Sequence, residues 1–82
     1  MKPRRTEKQR EIMGIILREV GQGRFLSIKE LHEMISYSAS YGAIRISVRW
    51  LERQGMLERR QVGRNTILVP TKRGYDWFRP AQ

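Results

Sequence analysis

The chain changes its period once. From Thr6 to Gln54 apolar residues recur at helical spacing, whereas from Leu57 to Val69 two short runs flank the turn formers Gly63, Arg64 and Asn65. Three helical segments followed by one hairpin within 82 residues leave room for a single small domain. The fold class expected from this order is α+β, with a three-helix core, a β-hairpin and a short C-terminal helix.

Local signals place the elements. Thr6 and Gln9 have capping-box spacing, and Ile12, Met13, Ile16, Leu17 and Val20 follow on one helical face until Gly21 and Gly23 stop it. Helix one is predicted from Glu7 to Val20. Gly14 inside it costs about 1 kcal/mol of helix propensity and marks either close packing or a tolerated interruption. Phe25 and Leu26 read as a short strand. Ser27 and Glu30 form a second capping box, opening a helix with Ile28, Leu31, Met34 and Ile35 inward. The stretch Ser36 to Ser40 is rich in turn and cap formers, so the chain reverses there and a third helix runs from Ser40 to Gln54, ended by Gly55. In the hairpin, Gly63 and Asn65 are expected to supply the positive φ angles of a tight turn, and Pro70 ends the second strand. Thr71 caps a last helix through Tyr75, Trp77 and Phe78, which Arg79 and Pro80 close.

Charge narrows the partner. Lys and Arg number 17 against 8 Asp and Glu, a net charge of +9, and a field of that sign on so small a domain favours a polyanion, either nucleic acid or an acidic membrane surface. The absence of Cys excludes a disulfide framework, a Cys-based zinc site and a thiol nucleophile. His32, the single histidine, cannot build a His-rich metal site and reads as plain surface. Glu30 and Glu33 read as cap and solvated face rather than as an acid/base pair. Neither an enzyme, a metal, a cofactor nor a small-molecule effector is expected. The run Ile15-Ile16-Leu17 is too short for a membrane span or a signal segment, so no membrane association is expected and a soluble, cytoplasmic, nucleoid-associated protein is.

At about 100° per residue, Ile44, Val48 and Leu51 share one side of helix three and face the core. Gly42, Arg45, Ile46, Arg49 and Arg53 then lie outward, with Ser40 and Tyr41 at the N-terminal end, and no acidic residue occurs between Glu33 and Glu52. Each Arg suits bidentate contact with guanine or a clamp on phosphate, and an ordinary solvated face is the alternative. Ile46 suits a thymine methyl or a protein interface. Tyr37 and Tyr41 fit either packing around the turn or phosphate hydrogen bonding, and Trp50 fits packing against the hairpin or an interface. In the hairpin, Arg59, Arg60, Arg64 and Asn65 extend the basic surface, Arg64 at the tip. The arm of residues 1–5, with Arg4 and Arg5, and Lys29 at the start of helix two are further candidate phosphate contacts.

Helix two, its turn and helix three form a helix-turn-helix with the hairpin as a wing. Four segments carry a family resemblance: Thr6-Glu7-Lys8-Gln9-Arg10-Glu11-Ile12, Ser27-Ile28-Lys29-Glu30-Leu31, Leu51-Glu52-Arg53-Gln54-Gly55-Met56-Leu57 and Thr71-Lys72-Arg73-Gly74. In order and spacing they resemble the winged helix-turn-helix regulators of bacteria, phages and plasmids, LexA-type DNA-binding domains in particular, with MarR-like and PadR-like features toward the C-terminal end. The likeness covers about residues 6 to 75, within a domain assigned to 6–79. It implies a sequence-specific double-stranded DNA-binding regulator, expected to repress by occupying an operator. The LexA protease domain and the long dimerisation helix of MarR and PadR proteins have no counterpart among these residues, so autocleavage and ligand-controlled dimer opening are not implied. The alternatives are a protein-docking winged helix, using Ile46, Trp50, Tyr75, Trp77 and Phe78, or an accessory DNA-binding protein of replication or a mobile element. Those three C-terminal rings, on a helix too short to bury them all, lead us to expect a homodimer.

Overall fold

Thr6 opens the first helix by the reciprocal bonds its spacing predicts. The computed structural model describes residues 6–78; in it the Thr6 hydroxyl accepts the Gln9 N–H and the Gln9 side chain accepts the Thr6 N–H, both at 3.1 Å. This helix, α1, spans Glu7–Gly21. Its buried side is broader than one stripe, because α1 is contacted by the second helix, the second strand and the last helix. Ile12, Met13, Ile15 and Ile16 are buried while Leu17 and Val20 are only half-buried. Glu19 is buried too, flanked by Arg24 at 3.5 Å and Arg18 at 3.8 Å, which offset the cost of removing a carboxylate from water. Gly14 marks no close packing: it is exposed, and a Cβ there would meet nothing within 4 Å.

The Ser27 and Glu30 box closes in the same way, at 3.2 and 3.0 Å, and starts α2, Ile28–Met34. Ile28 and Leu31 enter the core; Met34 and Ile35 pack at its margin. Ser40 caps α3, Tyr41–Arg53, its hydroxyl accepting the Ala43 N–H at 3.1 Å, and Ile44, Val48 and Leu51 are buried as their spacing predicts. Gly55, at φ +74°, ends the helix and turns the chain into the sheet.

Strands β1, Leu57–Val62, and β2, Asn65–Pro70, pair antiparallel with Leu57 opposite Pro70 and Val62 opposite Asn65. The loop is therefore Gly63-Arg64, one residue shorter than expected, and Asn65 is part of the ladder. Among the described residues only glycines have positive φ, Gly63 at +62°, so Asn65 does not supply a left-handed residue. A two-residue hairpin with positive φ at its first loop position is the II′ pattern, which needs glycine there and nowhere else. The strand expected at Phe25-Leu26 shrinks to one bridge, in which the Leu68 N–H donates to the Leu26 carbonyl at 2.8 Å.

Thr71 then caps α4, Lys72–Phe78, its hydroxyl accepting the Gly74 N–H at 3.1 Å. The close approach in this chain falls at Gly74: a Cβ on it would lie 2.3 Å from the Met56 carbonyl oxygen. That contact seats α4 against the segment joining α3 to β1. Trp77 and Phe78 are half-buried against the core, whereas Tyr75 stays 38% exposed. The architecture is the expected one, three helices, a two-stranded sheet and a short closing helix.

Candidate nucleic-acid interface

Burying Ile44, Val48 and Leu51 forces the other side of α3 outward, and Gly42, Arg45, Ile46, Arg49 and Arg53 are all exposed, as are Ser40 and Tyr41. The Ser40 hydroxyl is already engaged as the helix cap. Among the described residues no carboxylate lies within ion-pair distance of Arg45, Arg49 or Arg53. Four of the acids pair elsewhere: Glu19 and Glu30 with Arg24, Glu52 with Arg59, Glu58 with Arg60. Because position 42 has no side chain, the face is not flat, and Gly42, Arg45, Ile46 and Arg49 line a shallow concavity of about 200 Å³.

A second concavity, of about 280 Å³, opens between the start of α3 and the hairpin. It brings together Lys29 of α2, Tyr41 and Arg45 of α3, and Arg59, Arg64 and Asn65 of the hairpin. Ser27, Ile28 and Thr66 also line it; the sequence marks Ser27 as a cap and Ile28 as core, and none of the three as a nucleic-acid contact. Strand alternation is the signal that reveals Thr66: the register sets Arg59 opposite Leu68 and Gln61 opposite Thr66, so these four share one side of the ribbon. The same alternation sends Arg60 to the other side, where it lies 3.4 Å from Glu58 and lines neither concavity. Arg59 is inside the cleft but paired, 2.7 Å from Glu52.

The turn before α3 is pinned from two directions. His32 is half-buried rather than plain surface: its Nε2–H donates to the Ala39 carbonyl at 2.8 Å, and its ring meets Tyr41 edge-on at 5.9 Å. On the other side Ser36 gives both its N–H and its hydroxyl to the Glu11 carboxylate of α1, the hydroxyl at 2.6 Å. Those bonds, the hydroxyl first, hold the Glu11 pKa below the ordinary carboxylate value. Tyr37 packs in the turn with the Lys8 ammonium 5.5 Å from its ring centre, and burial, followed by the Glu11 charge, pushes its hydroxyl pKa up. The position of Tyr41 in the cleft is thus set by contacts outside the cleft.

Arg4 and Arg5 lie outside the described residues. Trp50, Trp77 and Phe78 turn toward the core, which leaves Ile46 and Tyr75 as the exposed members of the set considered for protein docking. Among the described residues no group of three His, Asp or Glu is placed to hold a metal ion, and no helix is long and apolar enough to cross a membrane.

No family model and no curated protein sequence matches the chain. Two solved structures are similar to it. AF1382 from Archaeoglobus fulgidus superposes with a TM-score of 0.79 at 22% identity, over 90% of this chain and 79% of that one. F93 from STIV, a winged-helix DNA-binding protein, gives a TM-score of 0.67 at 19% identity, over 92% of this chain and 84% of that one. The fold is accordingly an α+β winged helix, with β1 and β2 as the wing.

Proposed function

We propose that this protein is a sequence-specific, double-stranded DNA-binding regulator that represses by occupying an operator. In this reading α3 enters the major groove, Arg45 and Arg49 read guanine edges or clamp phosphates, Lys29 and Arg59 approach the backbone, and Arg64 reaches the neighbouring groove. The arm bearing Arg4 and Arg5 adds phosphate contacts. The observation that carries the reading is the pair Arg45 and Arg49, one turn apart on an exposed helix face with no carboxylate in reach among the described residues. Two like charges so placed repel in a free helix, and a polyanion removes that cost. The winged-helix neighbour from STIV binds DNA, and the LexA-type resemblance points the same way. The function so described is binding, with no catalytic step.

Selection from a random duplex pool at about 150 mM salt tests this, because non-specific charge contacts weaken steeply there. Enrichment of a defined site supports the reading, and placing that site across a promoter should then lower transcription when the protein is added. An enriched palindrome with half-sites roughly 34 Å apart indicates that two copies bind together. Loss of all affinity at that salt, with no preference at lower salt, refutes sequence-specific binding and favours the protein-docking alternative.

A further inference from the structure

Ile46 is 71% exposed, more than any other large apolar side chain among the described residues; Val62 follows at 57%, Tyr41 at 45%, Phe25 at 42% and Tyr75 at 38%. It sits on the outer face of α3, and its neighbours there, at i−4, i−1 and i+3, are Gly42, Arg45 and Arg49. A protein-docking surface is built from contiguous apolar area. Here one branched aliphatic side chain is flanked by cations at i−1 and i+3, and its apolar neighbours at i−3 and i+4 are only the single methyl of Ala43 and the half-buried Trp50, which packs against the core. The partner that fits is a small apolar group embedded in an anionic surface.

Gly42 supplies a second observation. The backbone there does not require glycine, since its φ is not positive. Packing does not require it either: an added Cβ would meet only the Ser40 hydroxyl, at 3.9 Å. Within a helix such a glycine weakens the local structure without a compensating contact. What it provides is the recess of about 200 Å³ beside Ile46, walled by Arg45 and Arg49.

We infer that Ile46 and the recess at Gly42 read the 5-methyl group of a thymine, which makes thymine-containing B-form duplex the preferred ligand of this face. The inference rests on the DNA-binding reading above and adds the base that is read. In the major groove thymine presents its methyl group to an apolar side chain, while guanine presents two acceptors to Arg. Along the helix axis Ile46 and Arg49 are about 4.5 Å apart, close to one base step of roughly 3.4 Å. The thymine read by Ile46 therefore lies within about two base pairs of a guanine read by Arg45 or Arg49. Duplex RNA is excluded twice, because uracil lacks the methyl group and the A-form major groove does not admit a helix.

The test uses the duplex enriched from the random pool, with its thymines replaced one at a time by deoxyuridine, which differs only in that methyl group. Affinity is measured for the parent and for Ile46→Ser, whose fold is preserved because Ile46 is outside the core. At one thymine, or one symmetry-related pair, the parent should lose about fourfold, the effect of one buried methyl group, and Ile46→Ser should lose nothing further there. Gly42→Ala should weaken binding to the thymine duplex while leaving the melting temperature equal or higher. A parent indifferent to every deoxyuridine, or an equal loss in Ile46→Ser, overturns the inference while leaving DNA binding intact. Failure of the parent to enrich any duplex overturns both readings together.

Discussion

The Arg59 guanidinium of β1 lies 2.7 Å from the Glu52 carboxylate of α3, joining the wing to the helix whose outer face it flanks. Both side chains remain partly exposed, at 33% and 26%, so the pair is partly screened and adds about 0.2–1 kcal/mol to stability. Its larger consequence is competition, since Arg59 cannot serve Glu52 and a phosphate equally. Glu52→Gln should strengthen duplex binding a few-fold and steepen the log–log salt dependence by about one phosphate's worth, with a small loss in melting temperature. Anisotropy titrations across a salt series measure this. Weaker binding at every salt would instead assign Glu52 the role of holding Arg59 in place.

Among the described residues Arg45 and Arg49 have no such ion-pair partner to lose. Replacing either with Ala should weaken binding to the preferred duplex by about 1–3 kcal/mol and relax base preference at one position, while thermal unfolding stays where it is in the parent. If both variants bind as the parent does, the outer face of α3 is not the recognition surface.

The phase of α3 was legible because three apolar residues, Ile44, Val48 and Leu51, sit at helical spacing and leave one orientation open; both capping boxes were legible because their bonds are local. Other features depended on pairing that local sequence does not carry. The hairpin tip is shorter by one residue because a single glycine satisfies a II′ loop, and Asn65 tolerates the left-handed region without needing it. Arg59 and Arg60 are consecutive in sequence and opposite in space, which only the strand register reveals. Sequence alone marks His32 as surface because its partner is a backbone carbonyl, that of Ala39, and every residue has one. Gly14 and Gly74 look alike in sequence. Only the fold shows that one faces solvent and the other a carbonyl oxygen.

That contrast gives a paired stability test. Gly74→Ala forces its Cβ toward the Met56 carbonyl, which is backbone and cannot swing aside, so it should cost about 1–3 kcal/mol or more as overpacking. Gly14→Ala fills open space on an exposed helix face and should stabilise by up to about 1 kcal/mol. Denaturant unfolding of the two variants beside the parent measures both signs, and equal effects would contradict the seating of α4.

Acid should loosen the frame around the site. The Glu30 carboxylate is held below its ordinary value of 4.5, first by the Ser27 N–H and then by the Arg24 guanidinium; Ser36 lowers Glu11 likewise. A carboxylate with a depressed folded-state pKa contributes stability that is present above its unfolded value and is lost as pH falls through the folded one. The melting temperature should therefore decline as pH drops from about 5 toward 3. Glu30→Gln keeps the neutral half of the capping box and should flatten that decline while lowering stability slightly near neutrality. An unchanged slope would show that Glu30 does not govern it.

The wing tip carries the last test. Gly63 takes the positive φ of the loop, so Arg64 occupies the second loop position, exposed and with no carboxylate in reach among the described residues. Arg64 lines the cleft shared with Arg45 and Lys29, and in the proposed binding mode, with α3 in one groove, it is expected at the next. A narrow A·T minor groove concentrates negative potential and favours an inserted Arg, whereas a phosphate is available beside any sequence. Groove entry predicts that Arg64→Ala loses most on duplexes whose flanks are A·T-rich and least on G·C-rich flanks. A phosphate contact predicts an equal loss on all of them, with the salt slope reduced by roughly one. We expect the flank-dependent result, and titrating parent and variant against duplexes that differ only in their flanks decides it. An equal loss would demote Arg64 to a phosphate contact, and no loss at all would leave the tip a solvated turn.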